Sequence, residues 1–176
     1  MPLLTHRGLG IMLMASSLTL VAGAAGAGGL RSWDKVMPNA NQRFKVLNDF
    51  NGEAVLDNET QLVWEQSTNK TPIQWAQAQR DCYGKTVGGR KGWRPPTIEE
   101  LTSLIDPSVE AGAKLPPGHP FDAGTTNYWS STTAPDGPTT AWFVRLASGD
   151  ANTGDKTENQ HVLAWCVRGG HGHDAY

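Results

Sequence analysis

The chain has 176 residues, 38% of them hydrophobic and 18% charged, which is enough for one ordinary domain and too little for two. Its formal charge is −2 with no long run of either sign, so composition gives no reason to place nucleic acid or an acidic membrane surface among its partners. Seven Trp, beside 20 Gly and 11 Pro, point to an aromatic-built core in a loop-rich fold.

Residues 1–28 read as a signal peptide. Arg7 supplies the positive n-region, residues 9–21 form an apolar stretch of signal length, and Ala22, Gly23, Ala24 and Ala25 offer small-residue cleavage sites. The stretch gives way to Gly and Ala before the ~20 apolar residues that a spanning helix requires. A periplasmic or secreted chain without stable membrane insertion is the expectation. Residues 29–49 are poorly patterned: Trp33, Val36, Phe44, Val46 and Leu47 either add an edge strand or pack as a lead-in arm. The domain proper is expected over 50–168, followed by a flexible tail, 169–176.

Within 50–64, Ala54-Val55-Leu56 and Gln61-Leu62-Val63-Trp64 are strand-like runs about a turn at Asp57-Asn58-Glu59-Thr60, a hairpin. Two short helices follow. Thr71 is placed as an N-cap, with Pro72 at the first helical position and Gln74 completing a capping box; Trp75, Ala78 and Cys82 then share a face until Gly84. Thr97 and Glu100 form a second capping box, after which Leu101, Leu104 and Ile105 face inward up to Asp106-Pro107. Residues 107–126 show no period and read as an irregular surface loop with little core.

Residues 127–146 read as a hairpin about the Pro/Gly turn 134–138, with Trp142, Val144 and Leu146 on the buried face of its second strand. In the closing run 160–168, Val162, Ala164 and Cys166 alternate with Leu163, Trp165 and Val167, which suggests one interior strand. Cys82 and Cys166 are the two cysteines, and an even count in an exported chain favours a bridge between them over two buried thiols.

Five ordered motifs carry a resemblance. They are Asp57-Asn58-Glu59-Thr60-Gln61-Leu62-Val63-Trp64, Gly92-Trp93-Arg94-Pro95-Pro96-Thr97-Ile98-Glu99-Glu100-Leu101, Tyr128-Trp129-Ser130-Ser131-Thr132, Ala141-Trp142-Phe143-Val144 and Cys166-Val167-Arg168. From about Phe50 to Arg168 the chain resembles the Lcl C-terminal domain family, named for the Legionella collagen-like protein. The resemblance implies an α+β, C-type-lectin-like fold of two short helices packed on small antiparallel sheets. It also implies exported or surface proteins, some of them adhesins that bind sulfated polysaccharide. This chain lacks the Gly-X-Y stalk of that adhesin.

Sharp chemical readings compete with plain ones. Thr97 and Glu100 are explained by capping, and Ser130 and Ser131 sit in no Gly-x-Ser-x-Gly elbow. Residues 150–155 fail the EF-hand pattern, leaving an exposed hairpin turn or a looser calcium loop. His171 and His173 lie in the expected tail, so no metal or other cofactor is assigned. The expectation is a non-catalytic binding or adhesion module for polysaccharide or another envelope ligand, with a structural envelope component as the alternative. The candidate ligand-binding residues are His119, Asp122, Asp150, Asn152 and Asp155, on the irregular loops. An exposed cluster among Trp33, Trp93, Tyr128 and Trp129 would favour binding; burial of those rings would favour the structural alternative.

Overall fold

Strands from near the two ends of the described residues are drawn into one sheet, and the stretch between them builds a second. In the computed structural model, residues 36–158 and 161–170 are described; the expected signal peptide, Trp33 and the tail histidines His171 and His173 lie outside them. After the one-turn helix α1 (Ala40–Arg43), capped by the Asn39 side chain, come β1 (Phe44–Val46), β2 (Ala54–Asp57) and β3 (Val63–Glu65). Helices α2 (Trp75–Gly84) and α3 (Ile98–Thr102) precede β4 (Asn127–Thr133), β5 (Thr140–Arg145), β6 (Ala151–Asp155), β7 (Val162–Leu163) and β8 (Val167–Arg168). One sheet runs β1-β2-β3-β8 and the other β6-β5-β4-β7, an α+β architecture. All pairings are antiparallel except β4 with β7, which is parallel.

The first alternative for the lead-in is realised: β1 is an edge strand, and Ala40 and Phe44 enter the core, so the folded unit begins before residue 50. The hairpin turn is completed by Gln61 in the left-handed region. Helix α2 differs from expectation. It starts at Trp75 rather than after Thr71, because the Ile73 N–H is taken by the Val162 carbonyl and the Ile73 carbonyl by the Trp129 indole. Those tertiary bonds hold 71–74 extended despite their helix-start chemistry. Helix α3 keeps its capping box but ends at Thr102, and Leu104 is buried from the turn beyond it.

The closing run is divided between sheets. Val162 and Leu163 pair with β4, Val167 and Arg168 belong to β8 beside β3, and the linking residues pass between two hydrophobic clusters. Val162, Ala164 and Cys166 fall in one cluster, with Ala78, Cys82, Trp93 and Trp129; Leu163, Trp165 and Val167 fall in the other, with Trp64, Leu101, Tyr128 and Val144. The alternation read from sequence is therefore real, but it marks a segment threading two cores rather than a single strand. Trp165 is the hub, with ring centroids 5.3 Å from Trp64, 5.1 Å from Phe121 and 5.3 Å from Tyr128.

Two expectations fail in the packing. Val144 and Leu146 are buried as read, but Trp142 is only half-buried and joins neither cluster. The period of two fixes its face; its place near the turn leaves it partly uncovered. The loop 107–126 is not a surface excursion with little core: Leu115 and Phe121 are buried in the cluster around Trp165, and the Lys114 N–H donates to the Leu146 carbonyl at 2.7 Å.

Candidate functional site

A disulfide fixes the end of α2 to the crossover between the sheets. Cys82 and Cys166 are bonded with Cα atoms 5.4 Å apart, closing a separation of 84 residues. Beside it lies Glu65, whose side chain is almost wholly buried. One carboxylate oxygen accepts the Cys166 N–H at 2.8 Å and the other pairs with Lys85 Nζ at 2.5 Å. Burial pushes the Glu65 carboxyl above its ordinary value, while Lys85 and the Cys166 N–H pull the other way. Burial prevails because water is lost from most of the group while one partly exposed ammonium faces it. Next to this pair an open cleft of about 400 Å³ is lined by Asn69, Arg80, Asp81, Gly84, Lys85 and Ala164. Sequence reading missed it, since Arg80, Asp81 and Lys85 there look like an ordinary solvated helix end. It offers both charge signs and suits a small polar group rather than an apolar ligand.

The side chains weighed for catalysis in the sequence are held in structural bonds. Ser130 Oγ donates to the Trp142 carbonyl at 2.8 Å and Ser131 Oγ to the Pro96 carbonyl at 3.2 Å. Glu100 closes the capping box by accepting the Thr97 N–H, and both its oxygens receive Arg94 at 2.7 and 2.6 Å. That buried bidentate pair, and a second between Arg43 and Asp57, were not read from sequence. The visible signal was an Arg six residues before a capping Glu, amid Trp and Pro. Among the described residues, no group of three His, Cys, Asp or Glu is placed to hold a metal ion.

The five expected ligand residues do not form one constellation. His119 stacks on Phe121 at 5.9 Å, its Nδ1 accepts the Phe121 N–H at 3.2 Å, and partial burial lowers its pKa. Its imidazole is therefore a neutral brace for the loop. Asp122 is exposed, paired with Lys70 at 2.9 Å and bonded by Ser67, which together lower its pKa. Asp150, Asn152 and Asp155 belong to the β6 hairpin, on the outer edge of the other sheet. The Asp150 carbonyl accepts the Arg145 N–H and Asp155 caps Thr157 through its N–H and hydroxyl, each at 2.7 Å. Those Thr157 bonds hold Asp155 below the usual carboxylate range. The segment is not the hairpin turn of the plain reading: residues 151–155 form strand β6, paired with β5, and the turn lies just before Asp150.

The aromatic criterion points away from a stacking platform. Trp93, Tyr128 and Trp129 are buried, and the indoles of Trp93 and Trp129 donate to the Arg90 and Ile73 carbonyls. No helix among the described residues is long and apolar enough to cross a membrane, and the disulfide suits an oxidising compartment.

A search of curated proteins finds no match. The profile of the Lcl C-terminal domain family matches residues 53–168, a span that takes in both sheets from β2 to β8, the disulfide and the capping box. By that match over most of its length, the chain belongs to the Lcl C-terminal domain family.

Proposed function

We propose that this chain is an exported, non-catalytic recognition or adhesion module with a C-type-lectin-like fold, directed at a polysaccharide or another envelope or surface ligand. One observation carries the reading: the hydroxyls and the carboxylate that sequence offers for catalysis are each consumed by structural bonds, Ser130 and Ser131 by carbonyls and Glu100 by Arg94 and its own cap. Unpaired charge is left on the surface of a scaffold locked by a disulfide and buried ion pairs, an arrangement suited to holding a polymer. Membership of the family supports the envelope setting.

A glycan array probed with the oxidised, exported protein, with calcium and with a chelator, tests this. Retention of a subset of polysaccharides is expected under both conditions, since Asp155 is committed to Thr157. Mass spectrometry of the exported protein should show loss of roughly the first 25 to 30 residues. The second reading, a structural envelope component, draws support from the burial of Trp93, Tyr128 and Trp129. An array that retains nothing decides for it.

A further inference from the structure

We infer that Arg90 and Arg168, with Lys91 next to Arg90 in sequence, form a carboxylate-binding site for an acidic, uronate-bearing polysaccharide. This rests on the recognition reading above and assigns it a place and a ligand chemistry. The site is built around Phe50. The guanidinium carbon of Arg90 lies over that ring at 4.8 Å from its centroid and that of Arg168 at 5.8 Å, so two like charges are gathered at one aromatic side chain. Among the described residues neither has a carboxylate partner: Arg90 reaches the Asp49 carbonyl at a long 3.4 Å, and Arg168 and Lys91 enter no ion pair. The nearby Glu53 is turned to the Gly88 N–H at 2.6 Å.

Both arginines are held by pinned backbone. Val87 and Arg90 exchange two N–H to carbonyl bonds, at 3.1 and 3.0 Å, and the Trp93 indole donates to the Arg90 carbonyl. The turn between them needs Gly88, since a Cβ there would stand 2.4 Å from the Phe50 Cα. Arg168 is fixed by β8, paired with β3 through Val63. Like charges held together by pinned backbone repel, and an anion bound between them would relieve that repulsion. Attraction to the ring uses the face of a guanidinium and leaves its N–H edge free. That edge offers two parallel N–H groups, which a planar carboxylate answers with both oxygens. A plain alternative is that the arginines only shield Phe50, and the test separates the two.

Binding of polygalacturonate to the full, oxidised chain is measured by isothermal titration beside neutral dextran and dextran sulfate. Arg90→Gln with Arg168→Gln should weaken polygalacturonate binding about ten-fold or more, the loss expected when charge-assisted hydrogen bonds are removed. Wild-type affinity should fall as salt rises. Arg145→Gln removes the same charge from an exposed strand position away from the cleft and should leave affinity within about two-fold. Lys substitutions at 90 and 168 keep charge but not the fork, and should bind between wild type and the Gln pair. Unchanged affinity in a folded Gln pair, equal loss in Arg145→Gln, or tighter binding of dextran sulfate than of polygalacturonate overturns the site. If wild type retains only neutral glycans, the site falls while the recognition reading stands; if it retains no glycan, both fall.

Discussion

Trp165→Ala should be the most damaging single truncation in the domain. The fully buried indole contacts Trp64, Phe121 and Tyr128, and its N–H donates to the Glu65 carbonyl at 3.0 Å. Removing a buried Trp costs about 3 to 5 kcal/mol. Three aromatic contacts at about 0.5 kcal/mol or more each, and a buried carbonyl left without its donor, put this case at the upper end, near 5 kcal/mol. At about 2 to 4 °C per kcal/mol, the melting temperature should fall by roughly 10 to 20 °C. Trp142→Ala supplies the contrast. Its ring is half-buried and outside both clusters, so about 1 to 2 kcal/mol is expected. Urea unfolding followed by far-ultraviolet circular dichroism, with the disulfide intact, measures both. Equal losses, or a larger loss at Trp142, would refute the division of the core described here.

Cys82→Ser with Cys166→Ser opens an 84-residue loop and should cost about 4.5 kcal/mol in the chain-entropy account, read from urea midpoints; free thiols in folded, oxidised protein would contradict it. Glu100→Ala leaves Arg94 buried without its partner and should cost about 3 to 5 kcal/mol, against about 1 kcal/mol for Thr97→Ala, which removes only the cap. Gly88→Ala drives a Cβ into the Phe50 backbone and should cost clearly more than Gly89→Ala, about 1 kcal/mol, where the added carbon meets open space. For Glu65 the folded carboxyl keeps its proton to higher pH than the unfolded one. Its contribution is therefore full below the ordinary value of 4.5 and is lost as pH rises through the raised one. Glu65→Gln should thus gain stability relative to wild type as pH rises from 4.5 through the raised value; the opposite trend would mean that the Lys85 pair outweighs burial.

Local signals were legible where no distant partner competes for the same backbone. The Thr97–Glu100 capping box and the β2–β3 turn came through because their bonds are made within a few residues. Thr71 carried similar helix-start chemistry, yet Val162 and Trp129 claimed Ile73, and nothing near residue 71 announces those partners. The alternation over 162–167 gave the correct faces but not the division between sheets, because a segment buried on both sides looks the same whichever strand it pairs with. Residues 107–126 lack any period since the buried residues there, Leu115, Pro116 and Phe121, fall at a spacing that matches neither helix nor strand. The expected ligand residues were chosen for loop position and polarity. The structure spends most of them on structural braces, and the cleft at Arg80 and Lys85 and the two guanidiniums at Phe50 arise from contacts between distant segments.

The most direct test of non-catalytic recognition is affinity electrophoresis of the oxidised protein through gels containing each array-positive polysaccharide, with polymer length measured by size exclusion after prolonged incubation. The account predicts retarded migration and unchanged polymer length. Unretarded migration, or shortening of the polysaccharide, would contradict it.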